Sequence, residues 1–100
     1  MIFVAGSMTI AADQVDAIEA AIRAMVGGVR QEPGCIHYSL LIEDRAAGTI
    51  NVLEMWDSED LLKQHLALPT TQSFFARFGS LMTAMDVQVY DAVNARPVPL

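Results

Sequence analysis

The sequence has few charged residues, few cations and a single cysteine. The shortage of cations argues against nucleic-acid binding, and the single cysteine excludes a disulfide within the chain. Only 18% of its 100 residues are charged, against about 25% in ordinary soluble domains. The six lysines and arginines are scattered among twelve acidic residues, for a formal net charge of −6, so nucleic acid is not an expected partner. Cys35 has no second cysteine with which to form a disulfide within the chain, which fits a reducing compartment.

Long apolar runs and cofactor motifs are also missing. The longest uninterrupted apolar stretches, such as residues 2–6 and 39–42, are far shorter than a membrane-spanning helix requires. Met1 opens directly into alternating sequence without a charged leader, so we expect a cytoplasmic protein that does not enter a membrane. There is no glycine-rich dinucleotide motif, no cluster of metal ligands and no cofactor lysine motif, so neither a metal nor another cofactor is expected.

What the sequence does contain is apolar residues, in an amount that one small domain has difficulty burying. The apolar fraction is 53%, above the usual value of about 45–50%, and 100 residues are enough for only one domain. The surplus predicts either a subunit interface or a ligand cavity.

The periodicity of the apolar residues predicts a regular order of elements. Alternation is typical of strands, and spacing by three and four residues is typical of amphipathic helices. Asp13 and Ser58 are expected N-caps, Pro69 is expected to end a helix, and Tyr38 is expected to share a strand face with Ile36 rather than with Cys35. The predicted order is strand 1–10, helix 13–30, strands 35–43 and 49–57 as a hairpin, helix 58–69, helix 71–82 and strand 85–93.

This order predicts an α+β ferredoxin-like βαββαβ fold, in which a four-stranded antiparallel sheet carries its helices on one face. The domain covers residues 1–93, and residues 94–100 form an extended C-terminal tail. Both faces of the strands are rich in apolar residues, so the face without helices needs a cover. The simplest cover is the sheet of a second copy, which would give a homodimer built as a dimeric α/β barrel.

Several motifs occur in order along nearly the whole chain. At these motifs the sequence resembles the antibiotic biosynthesis monooxygenase (ABM) family of dimeric α+β barrels. The motifs are Glu32-Pro33-Gly34-Cys35, Tyr38, Val52-Leu53-Glu54-Met55-Trp56, His65-Leu66 and Pro69.

The resemblance implies a cofactor-independent monooxygenase that oxidises a quinol- or anthrone-like aromatic with dioxygen. In such enzymes the deprotonated substrate itself supplies electrons to oxygen, and the protein contributes an apolar pocket with a few polar groups. Two alternatives remain open: isomerisation of a small hydroxyketone, carried out by another branch of the same fold, and a non-catalytic small-molecule-binding or stress-response subunit.

Two residues are candidate proton-transfer groups. His65 lies on the helix after the third strand, on the face of Leu62 and Leu66, and histidine exchanges protons readily near neutral pH. It could instead be a structural histidine that ties the helix to the sheet. Glu54 lies on a mostly apolar strand, where a carboxylate either has a partner or has a raised pKa, so it is either a base or a satisfied structural group.

Five further residues are candidate substrate contacts, each with core packing as the alternative. Trp56 offers a flat ring and one N–H donor, and Tyr38 offers a hydroxyl. Asn51 belongs to the opposite strand parity and would line the pocket only if that parity faced the helices. Phe74 and Phe78 lie at helical spacing and would form a pocket wall.

Overall fold

The computed structural model describes residues 1–100, and its secondary structure follows the predicted order. The elements are β1 (Ile2–Ile10), a 3-10 turn (Ala12–Gln14), α1 (Val15–Val29), β2 (Cys35–Asp44), β3 (Thr49–Trp56), α2 (Glu59–Ala67), α3 (Pro69–Phe78), a second 3-10 turn (Gly79–Leu81) and β4 (Met82–Asp91).

The four strands form one antiparallel sheet in the order β2-β3-β1-β4. The predicted α+β ferredoxin-like fold is therefore confirmed. Alternation along β1 buries Ile2, Val4, Met8 and Ile10 on one face, which is the face that the helices cover. The register places cross-strand neighbours on that face in rows, and one row consists of Tyr38, Glu54, Val4 and Val89.

The helices cover this face unevenly. The buried residues of α1 recur every three or four positions, and this helix packs over β2, whereas α2 packs over β3. Strand β4, at the other edge of the sheet, remains open on the helix side, where Met85 and Val89 are 52% and 47% exposed. The gap between the helices and β4 is where the cavity described below opens.

The ends of several elements differ from the sequence prediction. Helix α1 begins at Val15 after a 3-10 turn, and Asp13 does not cap it. Helix α3 begins at Pro69, which suits a first helical turn because proline lacks only an N–H that would be unpaired there. Strand β4 runs from Met82 to Asp91 instead of 85–93, because the chain turns through Gly79–Leu81 immediately into the strand.

A register shift at the start of β2 places Cys35 and Ile36 on the faces opposite to those predicted. Cys35 pairs with Trp56 and His37 pairs with Met55, so Ile36 is an extra residue between them. As a result Cys35 lies on the helix side and Ile36 is exposed. The alternation from Tyr38 onward is as predicted.

Three further features concern the start of α2, the C-terminal residues and the lengths of the helices. Ser58 caps α2 as predicted, because its Oγ accepts a hydrogen bond from the Leu61 N–H at 3.3 Å. No regular secondary structure follows Asp91. None of the helices is both long enough and apolar enough to cross a membrane.

Candidate active site

A cavity of about 180 Å³ lies between the helix-covered face of the sheet and helices α2 and α3. Thirteen of its 16 lining residues are hydrophobic, and the polar ones are Glu54, His65 and Thr71. The exposed side chains of Leu66, Phe75 and Met85 are among those lining it. The cavity is therefore an apolar space with a small polar group, which is the usual composition of a small-molecule site.

His65 reaches this space because α2 turns one face toward the sheet. Leu62 and His65 are one helical turn apart and are both buried, and His65 is only 2% exposed. The Ser58 cap and the acidic residues Glu59 and Asp60 stabilise the first turn of this helix. The helix thus holds a histidine inside an apolar region.

Nδ1 of His65 has a carboxylate partner from another part of the chain. It lies 2.8 Å from Oε1 of Glu32 and 3.4 Å from Oγ1 of Thr71. Glu32 belongs to the turn between α1 and β2, which approaches α2 closely at Gly34. Gly34 has a φ of +78°, and a Cβ at that position would overlap the Leu61 side chain, so glycine is required for this approach.

Two aromatic rings enclose the imidazole. The Trp56 ring lies over it with centroids 4.8 Å apart and planes tilted by 30°, and the Tyr38 ring meets it at 68° with centroids 5.4 Å apart. Trp56 is fully buried and comes from β3, and Tyr38 comes from β2, where it pairs with Glu54. The imidazole is consequently fixed in position by contacts from β2, β3 and the turn that carries Glu32.

Glu54 is a buried carboxyl with one identified partner. The Trp56 Nε1–H donates to Oε1 of Glu54 at 2.9 Å, because the two residues lie two positions apart on the same face of β3. Burial raises the pKa of Glu54 above its ordinary value, and the Trp56 hydrogen bond and nearby His65 only partly oppose that rise. Burial also raises the pKa of Tyr38, which keeps its phenol protonated and able to donate a hydrogen bond.

Three polar atoms around the cavity have no hydrogen-bond partner within the chain: Nε2 of His65, Oε2 of Glu54 and the hydroxyl of Tyr38. No fully buried side-chain nitrogen or oxygen lacks a partner, so these three atoms must retain some contact with solvent. Because all three residues line the same cavity, we infer that the free atoms are available to a ligand there.

The structure brings most of the sequence-predicted residues together. His65, Glu54, Tyr38 and Phe74 line the cavity, and Trp56 lies behind His65 without lining it. Phe78 is buried against Phe74, with ring centroids 5.3 Å apart.

Asn51 does not join this group. It pairs with Ser7 and Leu41 on the opposite face of the sheet and is exposed there. The parity that faces the helices is therefore the one with Glu54 and Trp56, which the sequence alone left open.

Two residues of the site escaped the sequence analysis. Glu32 is recognisable only as the start of a Glu-Pro-Gly turn, and Thr71 only as a residue shortly after Pro69. Neither pattern indicates that the residue would meet a histidine on another element. The one available signal was that Glu32 belongs to the first motif of the family resemblance.

No other part of the molecule combines an enclosed apolar cavity with buried polar groups. A larger groove of about 490 Å³ lies between α1 and β2, but it is open to solvent and its polar side chains are those of Glu19, Arg23, Arg30 and Ser39. Arg45 forms exposed ion pairs with Asp16 and Glu19 nearby. No three His, Cys, Asp or Glu side chains are grouped so that they could hold a metal ion.

Comparison with known proteins points to one family. The family model described as antibiotic biosynthesis monooxygenase matches residues 1–77. No curated protein is similar enough in sequence to give a match.

Solved structures agree with the family model. Rv0793 from Mycobacterium tuberculosis is 26% identical, with 96% of this chain and 98% of that one covered and a TM-score of 0.82. A Caulobacter crescentus protein assigned to the antibiotic biosynthesis monooxygenases is also 26% identical, with coverages of 93% and 90% and a TM-score of 0.82. One from Deinococcus radiodurans, at 23% identity, supports the fold with 98% coverage of both chains and a TM-score of 0.85. Since the family model spans more than half of the sequence, this chain belongs to the antibiotic biosynthesis monooxygenase family.

Proposed function

We propose that the protein is a cofactor-independent monooxygenase that oxidises a quinol- or anthrone-like aromatic with dioxygen. The observation that carries this proposal is the apolar cavity, in which Nε2 of His65, Oε2 of Glu54 and the Tyr38 hydroxyl lack partners within the chain. An aromatic ring with an acidic hydroxyl matches this environment, because its ring suits the apolar walls and its hydroxyl suits the polar atoms.

The reaction begins with removal of a proton from the substrate. His65 accepts the proton at Nε2, and the resulting electron-rich anion transfers one electron to dioxygen. The substrate radical and superoxide then combine through a new C–O bond to give a hydroperoxide, after proton transfer to the outer oxygen. Cleavage of the O–O bond releases water and leaves a new carbonyl on the substrate.

The atoms and electrons of this sequence balance without an added reductant. A hydroquinone and dioxygen give a hydroxyquinone and water, and an anthrone and dioxygen give an anthraquinone and water. All four electrons needed to reduce dioxygen come from the substrate. The protein has to supply proton transfer, orientation and an apolar environment.

The other residues of the site have supporting roles in this proposal. The protonated Tyr38 hydroxyl donates a hydrogen bond to the developing oxyanion, because its raised pKa prevents it from ionising. Glu54, whose pKa is raised by burial, exchanges a proton with the peroxide or the leaving hydroxide. Phe74 provides an apolar wall, and Trp56 fixes both Glu54 and His65.

The test is oxygen uptake with a panel of quinols and anthrones, followed by mass spectrometry of the product formed under ¹⁸O₂. The expected result is uptake above the spontaneous rate, with one labelled oxygen in the product and no hydrogen peroxide released. No uptake with any substrate would contradict the proposal. Two acid-base groups beside one cavity also suit isomerisation of a hydroxyketone, and conversion of such a ketone without oxygen would favour that function instead.

We also propose that the protein acts as a homodimer through the face of the sheet that lacks helices. This face, defined here as the open face, exposes Leu41 at 64% and Leu53 at 41%, with Phe3, Met55 and Tyr90 on the same side. Several exposed apolar side chains on one face are typical of an interaction site. A second copy would meet it with an identical surface, which is the geometry of a two-fold dimer.

A further inference from the structure

The carboxylate of Glu32 is the charged group in direct hydrogen-bond contact with the buried His65 imidazole. We propose that Glu32 is a positioning residue, which holds neutral His65 in the tautomer with its proton on Nδ1 and leaves a lone pair on Nε2 facing the cavity. This inference rests on the proposed function in that it explains why His65 can accept a proton from a substrate.

The hydrogen-bonding capacities of the two side chains determine the tautomer. An ionised carboxylate only accepts hydrogen bonds, whereas a neutral imidazole has one donor and one acceptor nitrogen. With Oε1 of Glu32 2.8 Å from Nδ1, that nitrogen must carry the proton. The Thr71 hydroxyl at 3.4 Å provides a second oxygen beside the same N–H. Nε2 is therefore unprotonated in the neutral ring and can act as a base.

Glu32 is itself held in place by the backbone around it. Its N–H donates to the Val29 carbonyl at 3.0 Å, and its carbonyl accepts from the Cys35 N–H at 3.2 Å. The following Gly34 lies against Leu61 of α2, as described above. The turn that carries Glu32 is thus fixed, and the Glu32 side chain is only 14% exposed beside the histidine.

The imidazole has little freedom to turn away from this partner. Trp56 covers one side of the ring, and the edge of the Tyr38 ring limits another. The titratable groups that face His65 are Glu32 from the turn, Tyr38 from β2 and Glu54 from β3. When Nε2 accepts a proton, the imidazolium remains hydrogen-bonded to Glu32, which is the role of the carboxylate that orients a catalytic histidine in other enzymes.

The test is nitrogen NMR of His65 in ¹⁵N-labelled protein, at a pH at which the ring is neutral. The wild type should give a pyrrole-like Nδ1 and a pyridine-like Nε2, the reverse of the tautomer that free histidine favours in water. Glu32→Ala should move His65 toward the Nε2–H tautomer, and Glu32→Gln, which keeps an acceptor oxygen of similar reach, should retain more of the Nδ1–H form.

Kinetics provide the second measurement. Glu32→Ala should lower kcat by about 10- to 100-fold, as loss of orienting partners does at other sites, while KM changes by less than about threefold because Glu32 does not line the cavity. Glu32→Gln should recover part of the loss in kcat. Glu43→Gln makes the same charge change at an exposed position of β2 and should alter neither the tautomer nor kcat.

The outcomes separate this proposal from the proposed function. An Nε2–H tautomer in the wild type, or an Nδ1–H tautomer that persists in Glu32→Ala, would overturn the positioning role. If Glu32→Ala does not fold, Glu32→Leu, which keeps much of the side-chain volume but has no acceptor oxygen, replaces it and is judged by the same criterion. If NMR shows the expected tautomers but no substrate consumes oxygen, Glu32 still positions His65 and only the monooxygenase function fails.

Discussion

The two faces of the sheet use similar residue types for different purposes. On the helix-covered face, His65 and Glu54 meet polar partners inside an apolar region, and each keeps one polar atom free beside the cavity. On the open face, His37 and Asn51 are exposed among apolar side chains such as Leu53. What covers a polar residue therefore matters more than its chemical type: similar residues lie beside a cavity on one face and in contact with solvent on the other.

The largest expected effect comes from replacing each of the two histidines by alanine in separate variants. His65→Ala should lower kcat for oxygen uptake by about 10²- to 10⁴-fold, the usual contribution of a general base. His37→Ala, on the open face, should keep kcat close to the wild type. Steady-state rates in an oxygen electrode, with folding checked by circular dichroism, measure both. Equal losses in the two variants would remove the distinction between the faces.

A charge placed on the open face should break the dimer. Leu53→Lys forces an ammonium group into the proposed apolar interface, and the two-fold symmetry places it there twice. Burial of an unpaired charge is costly, so dimerisation should weaken by about 2 kcal/mol or more, which is roughly 30-fold.

Sedimentation equilibrium measures this effect, with Ala20→Lys as the control. Ala20 is exposed on α1, away from the open face. The control should dimerise like the wild type. A wild-type protein that is monomeric at micromolar concentration would disprove the role given to the open face.

Loss of the Trp56 N–H should disturb the helix-covered face alone. Trp56→Phe leaves Oε1 of Glu54 without its donor at 2.9 Å, and an unsatisfied buried polar group costs about 1–3 kcal/mol. The free energy of unfolding from urea titration should fall by at least that amount, because the smaller ring also leaves a cavity. The value of kcat should decrease, because His65 loses part of its covering ring. Unchanged dimerisation is expected, and a dimer that dissociates would show that the two faces are not independent.

The smallest expected effect is a change in pH dependence. Burial raises the pKa of Glu54 in the folded chain above its ordinary value of 4.5. Between pH 4.5 and the raised pKa of Glu54, the folded chain binds more protons than the unfolded chain. The free energy of unfolding therefore falls as the pH rises through that window. Glu54→Gln removes this titration, so the free energy of unfolding should fall less steeply with pH. The Gln amide oxygen can still accept the hydrogen bond from Trp56, so the packing is kept.

Urea unfolding at a series of pH values from about 4 to 8 tests this sign. Glu43→Gln, an exposed carboxyl on β2, is the matched control and should keep the wild-type fall. If the wild-type free energy of unfolding instead rises through this window and Glu54→Gln removes the rise, burial is not the main influence on the pKa of Glu54.

Sequence patterns predicted the fold well because they are local. The alternation in β1 and the spacing of the buried residues in α1 specify both elements and their buried faces. The errors occur where one residue changes the geometry: the extra residue Ile36 reverses the face of Cys35, and Pro69 both follows the end of α2 at Ala67 and begins α3, two residues earlier than predicted.

The site was predicted only in part because its central contact is not local. His65 and Glu54 were candidates because each is a polar residue in an apolar pattern. Their partners depend on packing: Glu32 meets His65 across 33 residues of sequence, and no spacing rule relates the two. The same is true of the cavity, which depends on β4 extending past the helices that cover the rest of the sheet.

We propose that the chemistry belongs to the helix-covered face and the subunit contact to the open face. The most direct test is chemical-shift mapping by NMR while 1,4-naphthoquinol is added under anaerobic conditions, which allows binding without turnover. We expect shifts at His65, Leu66 and Phe75 and none at Leu41 or Leu53. Shifts confined to Leu41 and Leu53 would contradict this proposal and would place the ligand on the open face.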